Sequence, residues 1–220
     1  LLNHNDDYES LSTFAHEWGH AIHTLYARQS QPFETANYAT FIAEIPSTSL
    51  ELILQNYMVN QAETIDEKLF YLGFGLEQMR GTFFRQTMFA EFELALYEAV
   101  ERGEALSGDR ITQMYGEIVR RYHGHDEGVV IVDDLYTNEW MFVPHFYFNM
   151  YVFQYATSVT AGTALYGKIL EDQEAGSANY KDLLRAGGSD YPHLLLSRAG
   201  VDLTQPEPYQ AVGTQMNAIM

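Results

Sequence analysis

The chain has no cysteine in its 220 residues. That excludes a disulfide scaffold, a thiolate-ligated metal and a cysteine nucleophile, and it is in keeping with a reducing compartment. Basic residues are few: 12 Lys and Arg stand against 30 Asp and Glu, for a formal charge of −18. A surface that negative repels phosphate backbones, so nucleic acid is a poor candidate partner. No basic stretch followed by an apolar run opens the sequence, and no linker, repeat or low-complexity tract divides it. The stretch 140–167 lacks Asp, Glu, Lys and Arg and is long enough to span a bilayer. It carries Pro144, His145, Asn149, Gln154 and a Ser/Thr-rich second half, which an apolar span would not normally hold. It is therefore read as a buried helix of a soluble protein, with no membrane partner.

What is present is an ordinary globular composition, 46% hydrophobic and 19% charged, with 16 Tyr and 13 Phe to line a core or a groove. The periodicity is mainly helical. Helices are expected from Ser10 to about Arg28, with Ser10 or Ser12 as N-cap, and from about Tyr38 to Gln61, with a break or a start near Pro46. Thr64 and Glu67 form a capping box opening a segment that runs to Glu101, with Gly73, Gly75 and Gly81 as places for a kink. A shorter helix is expected over Asp109–Tyr122, and Val-Val-Ile-Val within Gly128–Asp133 reads as the one strand. A long uncharged helix is expected to start near Pro144, followed by helices over Ser177–Ala186, Tyr191–Ala199 and from Pro206 onward. The fold class is all-α, with at most a minor short β element, and residues 1–220 are read as a single catalytic portion. The first residue is Leu and a catalytic motif begins 15 residues later, so the N-terminal part is expected to be missing.

That motif is His16-Glu17-Trp18-Gly19-His20, the HExxH pattern. On a helix, positions i and i+4 share a face, so both imidazoles can reach one ion. Glu17 flanks that face, from which its carboxylate can take a proton from a water activated by zinc. A catalytic zinc needs a third protein ligand and an open position. A third histidine six residues after His20 would suit one class of zinc peptidase, but Tyr26 stands there. His23 is expected to pack beside the site. Among the following glutamates, Glu34 lies in a polar loop, whereas Glu44 sits in the apolar stretch Phe41-Ile42-Ala43-Glu44-Ile45-Pro46-Ser47. A lone carboxylate there is expensive to bury unless it meets a cation, which makes Glu44 the candidate third ligand. Glu51, seven residues on, is either an outer group orienting a ligand histidine or a solvated acid.

His16–His20 followed by Glu44-Ile45-Pro46-Ser47 resembles the oligoendopeptidase F and thimet oligopeptidase family of zinc peptidases. So do Phe84-Arg85-Gln86-Thr87-Met88-Phe89-Ala90-Glu91-Phe92-Glu93, the run from Pro144-His145-Phe146-Tyr147-Phe148-Asn149 into Gln154-Tyr155-Ala156-Thr157-Ser158, and Gly187-Gly188-Ser189-Asp190-Tyr191-Pro192. The resemblance spans nearly the whole chain. It implies a zincin-like, mostly helical peptidase with one Zn2+ per chain, cleaving short unstructured peptides within a channel, usually in the cytoplasm. It also implies His145 and Tyr155 as donors to the oxyanion, with Tyr151, one helical turn before Tyr155, as a further candidate. Phe148 departs from relatives, which often carry Tyr there; if that hydroxyl serves the oxyanion, the chain either lacks one donor or uses Tyr147 or Tyr151 instead.

The His123–Glu127 loop is read as hydrated and acidic, not as a second metal site. The Gly187–Pro192 loop is read either as touching substrate or as a helix cap and turn. Two other functions compete: a metallocarboxypeptidase with the same HExxH helix, and a catalytically incomplete fragment that binds zinc or peptide without turnover.

Overall fold

The computed structural model describes residues 2–220. In chain order the α-helices are α1 (Tyr8–Ser30), α2 (Thr40–Gln61), α3 (Ile65–Met79), α4 (Arg85–Glu101), α5 (Gly108–Tyr122), α6 (Phe153–Glu171), α7 (Gln173–Ala186), α8 (Pro192–Arg198) and α9 (Glu207–Ile219). Among the described residues there is no strand, so the all-α expectation holds. None of these helices is long and apolar enough to cross a membrane.

The chain divides into two compact units. The first takes in residues up to Phe83 together with Thr157–Met220. Its helix α1 starts two residues earlier than expected, because Asp7 rather than Ser10 or Ser12 is the cap, accepting a hydrogen bond from the Ser10 N–H at 2.8 Å. Helix α2 is unbroken, although Pro46 lies inside it and withholds one backbone donor. The hydroxyls of Ser47 and Thr48 both donate to the Glu44 carbonyl, each at 2.8 Å.

Ile42 and Ile45 of α2 pack with Ala161 and Leu165 of α6, Leu183 of α7, and Leu195 and Leu196 of α8. The Ser/Thr-rich second half of the uncharged stretch is explained here. Ser158, Thr160 and Thr163 are buried, and small residues let α6 approach α2 closely, with Gly162 beside Thr48 Oγ1. Helix α3 opens with the expected capping box: Glu67 N–H donates to Thr64 Oγ1 at 3.2 Å and Thr64 N–H to Glu67 Oε2 at 3.1 Å. Its continuation is interrupted by a π-helical turn, Arg80–Phe84, that contains Gly81.

The second unit is Phe84–Ala156. Its core is Met88, Phe89 and Phe92 of α4 packed on Met114, Tyr115, Ile118 and Val119 of α5, with Val132, Val143 and Val152. Arg85 and the Tyr115 hydroxyl both bond the Glu139 carboxylate, which ties the 3-10 segment Asp134–Phe142 to the helices.

Two expectations fail in this unit. Residues 128–133 form no strand, and Val129 and Ile131 are exposed. β-branched residues favour a strand only where a neighbouring strand pairs with them, and among the described residues there is none. Nor does a helix run from Pro144. A short 3-10 turn, Pro144–Phe148, ends at Asn149 and Met150, whose φ angles of 51° and 57° lie in the left-handed region. That pair breaks the helical path, and α6 begins only at Phe153.

Candidate metal centre

Helices α1 and α2 approach one another at Gly19. A Cβ built there would lie 2.4 Å from Ser47 Cα and 2.6 Å from the Pro46 carbonyl oxygen, so only glycine fits between the histidines. This contact sets Glu44 of α2 opposite His16 and His20 of α1. Glu44 Oε2 lies 3.2 Å from His16 Nε2 and 3.2 Å from His20 Nε2. The three donor atoms all lie within 4.8 Å of one another. An imidazolium–carboxylate hydrogen bond is usually about 2.7–2.9 Å long. Two donor atoms sharing a tetrahedral zinc at about 2.1 Å stand about 3.4 Å apart. The observed separations fall nearer the second figure, and a set of two nitrogens and one carboxylate oxygen suits zinc chemically.

The groups behind these three are also placed. His16 turns its other nitrogen, Nδ1, toward Glu51 Oε1 at 3.4 Å, so Glu51 faces a candidate ligand and is not merely a solvated acid. Ser47, buried in α2, donates its hydroxyl to Glu44 Oε2 at 3.0 Å as well as to the Glu44 carbonyl. Sequence reasoning gave Ser47 no role; the available signal was a hydroxyl three residues after the carboxylate, one helical turn on.

The charges are strongly coupled. Burial works against a charged ring at His16, but hydrogen bonds and charge from Glu44 and Glu51 outweigh it and raise the imidazole to about 10. Burial likewise opposes the Glu44 carboxylate, and the two histidines overcome it, holding the group well below the usual carboxylate range. The pocket thus prefers a positive charge between its imidazoles and its carboxylate. Glu17 is exposed on the same helix. His23 packs to one side, as expected. It is buried and stacked on Tyr38 at 3.5 Å, and burial, with the charge of His20 adding, pushes its ring down to about 4.

The second unit gathers the other predicted residues among themselves. His145 stacks on Tyr151 (centroids 5.5 Å apart, planes at 6°) and meets Tyr155 edge-on at 5.8 Å. The Tyr155 hydroxyl donates to that of Tyr151 at 3.3 Å. His145 comes from the 3-10 turn and Tyr151 from the connection before α6, not from one continuous helix. Tyr147 is 79% exposed, and the Phe148 ring meets the Tyr151 ring edge-on, with centroids 5.9 Å apart.

The His123–Glu127 loop uses its rings structurally: His125 Nδ1 accepts from the Val132 N–H at 2.9 Å, and His123 Nδ1 lies 2.8 Å from the Val119 carbonyl. Gly187, at φ 52°, caps α7, and the Gly188 N–H donates to the Thr35 carbonyl at 2.8 Å. That favours the cap-and-turn reading of this loop.

The helical frame sets the HExxH helix α1 against the glutamate-bearing helix α2, and the comparisons give the class as a peptidase. The profile of peptidase family M3 matches residues 1–213, and the chain belongs to that family. Within it, the chain is similar to Oligopeptidase PepF of Bacillus subtilis, 42% identical over 211 residues, covering 96% of this chain and 31% of the relative. It is also 38% identical over 203 residues to the plasmid-encoded oligoendopeptidase F of Lactococcus lactis subsp. cremoris, covering 92% and 33% of the two chains. The crystal structure of oligoendopeptidase-F from Enterococcus faecium superposes with a TM-score of 0.82 at 35% identity, over 96% of this chain and 38% of that one. The chain therefore spans about a third of the length of the curated relatives it matches.

Proposed function

We propose that this chain carries the catalytic chemistry of a zinc-dependent endopeptidase acting on short, unstructured oligopeptides. The observation that carries the reading is the convergence of His16 Nε2, His20 Nε2 and Glu44 Oε2 at 3.2 Å contacts. These three residues would hold one zinc ion, with Glu51 and Ser47 orienting His16 and Glu44. Zinc bound there supplies positive charge that makes water more acidic and polarises the scissile carbonyl. Glu17 takes a proton from the attacking water onto a carboxylate oxygen and passes it to the leaving amine. His145, Tyr155 and Tyr151 donate hydrogen bonds to the oxygen on which charge develops, an assignment supported by the family resemblance and by their grouping. The relatives are named as oligopeptidases and oligoendopeptidases, which supports peptides as the substrate class; a cytoplasmic setting rests on the family resemblance alone.

The test is metal analysis combined with a fluorescence-quenched peptide assay on wild type and Glu17→Gln. The expected result is one zinc per chain in both, with turnover in the variant reduced by about 100- to 10,000-fold. A Glu17→Gln chain as active as wild type would refute the mechanism. Zinc binding without turnover in either would favour an incomplete catalytic fragment, and release of single C-terminal residues a carboxypeptidase.

A further inference from the structure

The segment carrying His145 and Tyr151 passes through two consecutive left-handed residues, Asn149 at φ 51° and Met150 at φ 57°. Asn tolerates that region, but a methionine there costs on the order of 1 kcal/mol or more, so surrounding contacts must hold it. Two side chains of α4, four residues apart on one face, do so. The Met150 N–H donates to Glu93 Oε1 at 2.7 Å, and the Tyr97 hydroxyl donates to Asn149 Oδ1 at 2.9 Å. Glu93 is 2% exposed, and its Oε2 has no hydrogen-bond partner among the described residues. A buried carboxylate with half its capacity unused costs stability that an apolar residue would not. Packing alone therefore does not account for an acid at this position. What Glu93 does hold is the residue immediately before Tyr151.

We propose that Glu93 is a positioning residue: with Tyr97 it clamps the Asn149–Met150 pair in the left-handed region and thereby aims Tyr151 and Tyr155 at each other and at His145. Release of Met150 lets its φ revert to the negative range, which swings the chain on one side of that residue relative to the other. The stack of His145 on Tyr151 and the bond between the two tyrosine hydroxyls are then lost together. The inference rests on the reading that these three groups serve turnover.

The experiment compares Glu93→Ala, Glu93→Gln and the double variant Glu93→Ala/Met150→Gly, reading kcat, KM, zinc content and the NMR resonances of the His145 ring. Glu93→Ala is expected to lower kcat about tenfold to a hundredfold at nearly unchanged KM and zinc content. It should also shift the His145 ring resonances as the stacked Tyr151 ring moves away. Glu93→Gln keeps an oxygen acceptor for Met150 and should restore both readouts. The double variant should recover part of the loss, because glycine holds a positive φ unaided. Wild-type kcat and unshifted His145 resonances in Glu93→Ala would overturn the clamp, as would equal losses in Glu93→Ala and Glu93→Gln. His145→Ala and Tyr155→Phe separate the two ideas. If both retain full turnover, the donor assignment fails. The His145 resonances, which need no turnover, then decide on the clamp alone.

Discussion

Replacing Gly19 by alanine sets two effects of opposite sign against each other. Alanine is the better helix former, by about 1 kcal/mol in a helix interior, so propensity alone favours the change. The new Cβ, however, would lie 2.4 Å from Ser47 Cα, 2.5 Å from Ser47 N and 2.6 Å from the Pro46 oxygen. Carbon atoms rest about 3.5–4.0 Å apart, so α1 and α2 must separate locally by about 1 Å. All three neighbours are backbone atoms, and no rotamer change relieves them. Overpacking of this kind costs about 1–3 kcal/mol, and a rigid backbone neighbour puts Gly19 at the upper end. The net loss is then about 2 kcal/mol, or a fall in melting temperature of about 4–8 °C for a chain of this size.

The same displacement carries Glu44 away from the histidines, whereas metal–ligand distances tolerate only about 0.2 Å. Zinc affinity, measured by competition with a chromophoric chelator, should fall by at least about tenfold. Gly73→Ala is the internal control. Gly73 lies inside α3 with no heavy atom near its would-be Cβ, so there the propensity gain should appear unopposed as a higher melting temperature. A Gly19→Ala chain that melts at or above wild type and binds zinc equally well would refute the reasoning.

Ser47→Ala removes the hydroxyl that bonds Glu44 Oε2 and should lower zinc affinity about 10- to 100-fold while the fold persists; an unchanged chelator titration would leave Ser47 a helix-stabilising role only. Thr64→Ala breaks the capping box of α3 and should cost about 1 kcal/mol, read as a drop of about 2–4 °C in a thermal melt. Burial raises the Glu93 carboxyl above its ordinary 4.5, with the Met150 N–H only partly opposing it. Its contribution to stability is therefore full below about pH 4.5 and is lost as pH rises through the raised value. The melting temperature of Glu93→Gln relative to wild type should accordingly climb over that range and then level off, and a difference flat with pH would contradict it.

The apposition of His16, His20 and Glu44 was legible because its determinants are local. HExxH states its own geometry through the i, i+4 repeat, and Glu44 stands out as a charge in an apolar run. The capping box is likewise a contact between near neighbours, and Thr64 and Glu67 make it as expected. What the sequence hid depends on distant partners. Pro46 suggests a break, because it cannot donate to the Ile42 carbonyl, but α2 stays whole, with Ile42 and Ile45 packed into the core. The Val-Val-Ile-Val run has strand propensity without a strand to pair with. The helix anticipated from Pro144 fails at Asn149 and Met150, where the deciding groups, Glu93 and Tyr97, lie more than fifty positions earlier in the chain.

His16, His20, Glu44 and Glu51 all belong to one helical hairpin, α1 and α2, joined by residues 31–39. Ordering them closes a single short loop, at a small entropic cost compared with gathering ligands from remote parts of a chain. In kinetic terms the pairing of α1 with α2 is of low contact order, since both helices lie within residues 8–61. An ion seated there acts as a cross-link on a local fold. Its departure would be felt first as faster amide exchange in α1 and α2, and only later in the helices that cover them.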